Sequence, residues 1–185
     1  MPPKRDLDLD AALDTFFLYG YRKASMDDLA RAAGVSRQGL YNHFSSKAEV
    51  FRATVLNIYE TSVAEAEAAM ADEASPVADR LLRAFDAWDG QYVDRMRVSP
   101  HTHELFDQAV ADFFDEYQKA EGRIRSLVLA TFAALSPGLE NEIAETLVAA
   151  STGLLHIAED RAGYCKGMEG AIRVALATGK GDAAE

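Results

Sequence analysis

The stretch Ser25-Met26-Asp27-Asp28-Leu29-Ala30-Arg31-Ala32-Ala33-Gly34-Val35-Ser36-Arg37-Gln38-Gly39-Leu40-Tyr41-Asn42-His43-Phe44 decides the fold. Ser25 and Asp28 have the spacing of a capping box, in which each side chain satisfies an orphan N–H of the other's first turn. Met26, Leu29, Ala30 and Ala33 then repeat at helical spacing. Gly34 breaks the helix with a residue that tolerates positive φ. Val35 fills the angle of the turn, and Ser36 is the N-cap of a short helix predicted over 37–44. Two short helices joined by a turn of this length containing glycine are a helix-turn-helix, whose second helix enters the major groove of DNA.

With Leu40 and Phe44 facing inward, the helical wheel points Gln38 and Asn42 outward, with Gly39 and Tyr41 on the flanks. Ser36 and Arg37 lie at the N-terminal end. Gln suits a bidentate contact to adenine and Arg to guanine. Gly39 costs about 0.8–1 kcal/mol relative to Ala inside a helix, which a close backbone approach to DNA would repay. Arg37 and Lys47 each stand at a helix N-terminus, where a cation opposes the macrodipole. An incoming phosphate reverses that argument, so Lys47, Tyr41 and His43 are the expected phosphate contacts.

Working outward, Leu9, Leu13, Phe16 and Phe17 place a first helix over 7–19 that Gly20 ends. Ser46 and Glu49 form a second capping box, which opens a long fourth helix. Further helices are expected over 76–95, 100–109, 111–135, 139–159 and 166–178, with Pro76, Pro100 and Pro137 near their starts. Residues 160–166 are read as the last loop and 179–185 as a frayed tail. Strand-like alternation is absent. The expected fold is all-α, with about nine helices: a DNA-binding domain over 1–46 and a helical regulatory and dimerisation domain over 47–185.

The segment from Leu9 to about Ala53 resembles the tetracycline-repressor (TetR/AcrR) family of transcription regulators. The resemblance rests on Phe16, Gly20-Tyr21, Ser25 to Ala30, Ala33 to Ser36, Leu40 to Phe44 and Lys47 to Phe51. It covers about a quarter of the chain. It implies an all-α, two-domain protein that dimerises through its last two long helices and binds a small-molecule inducer in its body. The positions matching the family's DNA contacts are Arg37, Gln38, Gly39, Tyr41, Asn42 and His43. Lys47 matches a phosphate contact, and Ser25 matches a cap that also touches phosphate. Gly39 departs from the commoner Thr or Ser.

The net charge of −11 sits badly with a nucleic-acid partner until it is mapped. Residues 1–60 balance eight basic against eight acidic side chains, and residues 61–185 carry eleven basic and twenty-two acidic. Over 22–52 the balance is positive, six basic to three acidic. A locally basic head on an acidic body is compatible with an operator duplex. An architectural DNA protein would carry a broadly basic surface.

In the body, Ile143 to Ala158 is nearly all apolar or small, so this helix should be buried on two sides. Ile143, Leu147, Ser151, Leu154 and Ala158, with Met168, Ile172 and Ala175 from the last helix, are the expected homodimer face. Aromatics gather at Phe85, Trp88, Tyr92, Phe106, Phe113 and Tyr117, the expected lining of an inducer site. No phosphate loop, nucleophile elbow or metalloprotease motif supports an enzyme. No metal or cofactor is expected, since Cys165 is alone and no Cys/His spacing suits zinc. No apolar run spans a bilayer and Met1 to Asp6 lacks a signal peptide, so the cytoplasm is expected, with no membrane partner.

Overall fold

The computed structural model describes residues 7–98 and 101–178, apart from the side chain of Glu104. All described elements are helical. They are α1 (Leu9–Lys23), α2 (Met26–Ala32), α3 (Arg37–Tyr41), α4 (Lys47–Ala71), α5 (Val77–Trp88), a 3-10 turn (Gly90–Tyr92), α6 (Val93–Arg97), α7 (Thr102–Asp112), α8 (Phe114–Leu135), α9 (Glu140–Ile157) and α10 (Arg161–Thr178). Pro100, the amino-terminal six residues and the tail 179–185 lie outside the described residues. Among the described residues no helix is long and apolar enough to cross a membrane.

The chain divides into two compact units, residues 1–59 with 95–116, and residues 60–94 with 117–185. In the first, α1 packs on α2 and α7, and α2 packs on α3. Its core holds Phe16, Leu29, Leu40, Val50, Phe51 and Leu105. Phe16, Tyr21 and Phe51 form a three-ring cluster with centroids 5.2–5.9 Å apart, a favourable separation for aromatic pairs. In the second unit α10 packs on α9 and α5. Its most deeply buried side chains include Leu81, Phe85, Ile124, Phe132, Leu147, Tyr164, Met168 and Ile172.

Ten α-helices are described rather than nine, because the segment expected as one helix over 76–95 breaks at Asp89 (φ −120°, ψ −41°) into α5, the 3-10 turn and α6. The last helix starts at Arg161, not at 166. Gly163, Gly167 and Gly170 give this segment poor helix propensity, but tertiary contacts outweigh it. The Asp160 carboxylate accepts from the Gly163 N–H at 2.7 Å, Arg161 pairs with Asp86, and Tyr164 and Met168 are fully buried.

Asp89 explains the break. Its carboxyl is 2.5 Å from Ser151 Oγ, Ser151 Oγ is 2.6 Å from Tyr164 Oη, and Tyr164 donates to the Phe85 carbonyl at 2.9 Å. The carbonyl can only accept, so Tyr164 donates there, and Ser151 Oγ donates to Asp89 Oδ2. Burial, opposed by the Ser151 hydrogen bond and reinforced by the negative charge of Glu121, pushes Asp89 up to about 7. The relay ties the end of α5 to α9 and α10, and its buried acid holds a proton below about pH 7. Between about pH 4 and pH 7 the native state keeps this proton and the unfolded chain has lost it. Stability should therefore fall in that window as pH rises, by about 1.4 kcal/mol per pH unit from this group. Chemical denaturation of the wild type and of Asp89→Asn across pH 4–8 should show this slope in their difference. Parallel profiles would contradict the neutral acid.

Candidate nucleic-acid interface

The geometry of the interface begins with its caps. Ser25 Oγ accepts from the Asp28 N–H at 3.2 Å and donates to Asp28 Oδ2 at 2.5 Å, while the Asp28 carboxylate accepts from the Ser25 N–H at 3.3 Å. Those Ser25 bonds hold the Asp28 carboxyl below the usual carboxylate range. Gly34 has φ 71°, and Val35 N–H reaches back to the Ala30 carbonyl at 3.0 Å. Ser36 Oγ caps α3 by accepting from the Gly39 N–H at 3.0 Å. The capping box of α4 differs from the expected one. Ser46 Oγ accepts from the Glu49 N–H at 3.2 Å, but Glu49 reaches past Ser46 to the Ser45 N–H at 2.7 Å.

α3 ends at Tyr41 rather than Phe44, although the Phe44 N–H still bonds the Leu40 carbonyl at 2.9 Å. Leu40 is 1% exposed and fixes the helix to the core. Ser36, Arg37, Gln38, Tyr41, Asn42 and His43 are exposed, and Gly39 is half-buried. Gln38 Nε2 donates to Asn42 Oδ1 at 3.2 Å, so the two outward amides are one unit. A further Gln38 N–H and its Oε1 remain, the donor and acceptor that a bidentate contact to adenine uses. A Cβ at Gly39 would lie 3.2 Å from Ser36 Oγ, so the cap itself crowds a side chain there.

Although each opposes the dipole of its own helix, Arg37 and Lys47 both have partners inside the fold. Arg37 pairs with Asp27 at 3.2 Å, and its guanidinium carbon lies 5.6 Å from the Tyr41 ring centroid. Lys47 Nζ donates to the carbonyls of Tyr21, Ala24 and Arg22 at 2.7, 3.0 and 3.2 Å, and sits 4.7 Å from the Tyr21 ring centroid. A cation at the carbonyl end of α1 is favoured by the helix dipole.

The other expected sites fare differently. Phe106 and Phe113 belong to the first unit, where Phe113 packs beside Phe51 at 6.1 Å. Phe85 and Trp88 are buried in the second unit, Tyr117 lies 6.1 Å from Trp88, and Tyr92 Oη meets Ser62 Oγ at 2.9 Å. None of the six lines the cavity of about 820 Å³ in the second unit, whose walls include Met70, Val77, Arg80, Arg123, Leu127 and Thr131. Most residues expected at the dimer face point into their own unit: Leu147, Ser151, Met168 and Ile172 are at most 1% exposed, and Ile143, Ala158 and Ala175 are buried with them. Leu154 is half-buried. The expected residues lie on the internal face of a helix that is apolar on both. The outer face carries Thr146, Ala149, Gly153 and Ile157 on α9 and Val174 and Ala177 on α10. Between the two helices Leu139, Thr146, Ala171 and Val174, with Ile143, Leu147 and Ala175, line an apolar groove of about 440 Å³.

Residues 9–54 match the family model described as bacterial regulatory proteins, tetR family. Over that segment the chain is TetR-like. A TetR-like transcriptional regulator from Rhodococcus sp. RHA1 is similar over 91% of this chain and 93% of its own, with a TM-score of 0.66 and 26% identity. The transcriptional repressor ComR of Escherichia coli is 34% identical over 83 residues, 45% of this chain and 40% of ComR. A putative mycofactocin biosynthesis regulator, MftR of Mycobacterium tuberculosis, is 31% identical over 105 residues, 52% of this chain and 51% of MftR. The chain spans between 22% and 51% of the length of the curated relatives it matches.

Two glycines of the head differ in what they forbid. Gly34 at φ 71° has no atom within 4 Å of a Cβ, whereas Gly20 (φ 74°, ψ 157°) would press a Cβ to 3.3 Å from His101 Cγ. Gly20 also occupies a backbone region that is essentially glycine-only. Gly34→Ala should cost about 1–2 kcal/mol and Gly20→Ala more, about 3 kcal/mol, in denaturant unfolding. Equal costs would contradict the strain assigned to Gly20.

Proposed function

We propose that the chain is a sequence-specific DNA-binding transcription regulator that acts as a homodimer and is released from its operator by a small-molecule effector. The single observation that carries this is α3. Its Arg37, Gln38 and Asn42 stand in solvent while Leu40 is locked in the core, as a helix that reads base edges requires. Residues 1–46 act as the reading head and 47–185 as the regulatory body. Double-stranded DNA meets Ser25, Ser36, Gly39, Tyr41 and His43 around the base-reading residues.

Dimerisation is supported by the exposed apolar side chains of the last two helices. Ile157 is 76% and Val174 66% exposed, beside the apolar groove between α9 and α10. Exposed contiguous apolar surface marks an association site. The effector reading is supported by the 820 Å³ cavity, within the usual range for small-molecule sites. Two heads about 34–36 Å apart enter successive major grooves. An effector that alters this separation weakens DNA binding, and DNA weakens effector binding by the same factor. The repressor assignment follows ComR.

Titration of a fluorescent duplex from upstream of the chain's own gene tests the reading. Gln38→Ala should lose discrimination at one base pair, about 1–3 kcal/mol, and keep it elsewhere. Wild-type binding no tighter than to random duplex would overturn the proposal. For the assembly, sedimentation of Val174→Asp should give a folded monomer where the wild type gives a dimer. A dimer that survives would exclude this face.

A further inference from the structure

The cavity of the second unit is walled by α4, α5 and α8, where Met70, Val77, Leu127 and Leu135 give it an aliphatic surface. Three cations, Arg80, Lys119 and Arg123, line it against one anion, Glu67. That balance runs against residues 61–185 as a whole, where acids outnumber bases twenty-two to eleven. Glu67 is already answered, since Arg123 Nε and Nη2 donate to its two oxygens at 3.0 and 2.9 Å. Arg80 is not. It is half-buried, its Nη1 donates to the Met70 carbonyl at 3.1 Å, and its Nε is buried with no hydrogen-bond partner. Among the described residues it meets no carboxylate. Asp72, two residues past Met70, is taken by Ser75 Oγ at 2.7 Å and Arg83 Nη2 at 2.8 Å. A charge withdrawn from water without a counter-ion is costly. Arg123 with Glu67 and Arg161 with Asp86 each present Nε and Nη2 to one carboxylate. The same edge of Arg80 has no such partner.

We propose that this cavity binds an aliphatic carboxylate, its head paired with the Nε and Nη2 edge of Arg80 and its tail against Met70, Val77 and Leu127. This rests on reading the cavity as the effector site. The carboxylate supplies the acceptor that Nε lacks and the counter-charge that the fold withholds, in the bidentate geometry a guanidinium favours. Met70, with its flexible thioether chain, yields to admit the head. A neutral alcohol gains the aliphatic wall and leaves Nε unsatisfied. A cationic amphiphile meets three cations and an anion that is already paired.

Isothermal titration calorimetry of the full chain with decanoate, decanol and decyltrimethylammonium separates head from tail, since the three share one chain length. Decanoate should bind at least about tenfold tighter than decanol, and the ammonium should not bind measurably. Arg80→Gln should bring decanoate down to the affinity of decanol and leave that of decanol unchanged, which also reports an intact fold. Arg80→Lys keeps the charge and loses the fork, so it should retain part of the preference. Ala130→Trp, on the cavity wall, should abolish binding of both. Decanoate that binds no tighter than decanol, or whose affinity neither Arg80 variant moves, overturns this inference. Decanoate that binds through Arg80 yet leaves the complex with the upstream duplex intact overturns the effector reading instead.

Discussion

Burial of Leu40 is the constraint on which the head depends. α3 has five residues, far below the length at which a helix is stable by itself in water. It persists because Leu40 is almost wholly removed from solvent, worth about 2–3 kcal/mol, and because Ser36 caps one end while the Phe44 N–H closes the other. A helix held by one inward side chain is free to offer the rest of its circumference. That division of labour lets Gln38 and Asn42 stay polar and exposed at little cost to folding.

The same economy governs the charges. The cations of the head that were expected to wait for a ligand are mostly engaged inside the chain, Arg37 with Asp27 and Lys47 with the end of α1. The exposed pair Arg37–Asp27 contributes little to stability, so Arg37 would leave Asp27 at little cost. The Lys47 contacts are different in kind, since three backbone acceptors depend on one donor group.

Local rules of sequence were legible where a residue acts on its own backbone. The caps at Ser25 and Ser36, the turn at Gly34 and the inward Leu40 follow from side-chain chemistry within four residues, and the structure has each in place. Partners distant in sequence were not legible. Nothing in Lys47 and its neighbours announces carbonyls twenty-three to twenty-six residues earlier. Periodicity also failed where both faces of a helix are apolar. On α9 it gave a stripe but not its direction, and the chosen stripe is the internal one. Helix propensity misplaced the start of α10 because the buried Tyr164 and the Asp86–Arg161 pair lie outside its reach. In the same way, Asp89 reads as a solvated carboxylate until Ser151 and Tyr164 are brought to it.

The central claim is that residues 37–44 are the surface that meets the duplex. Hydrogen–deuterium exchange of the full chain, with and without the DNA upstream of its own gene, tests that surface directly. New protection is expected over residues 36–44, with α9 and α10 protected equally with and without DNA. Protection confined to the body, with 36–44 exchanging as freely as without DNA, would contradict that claim.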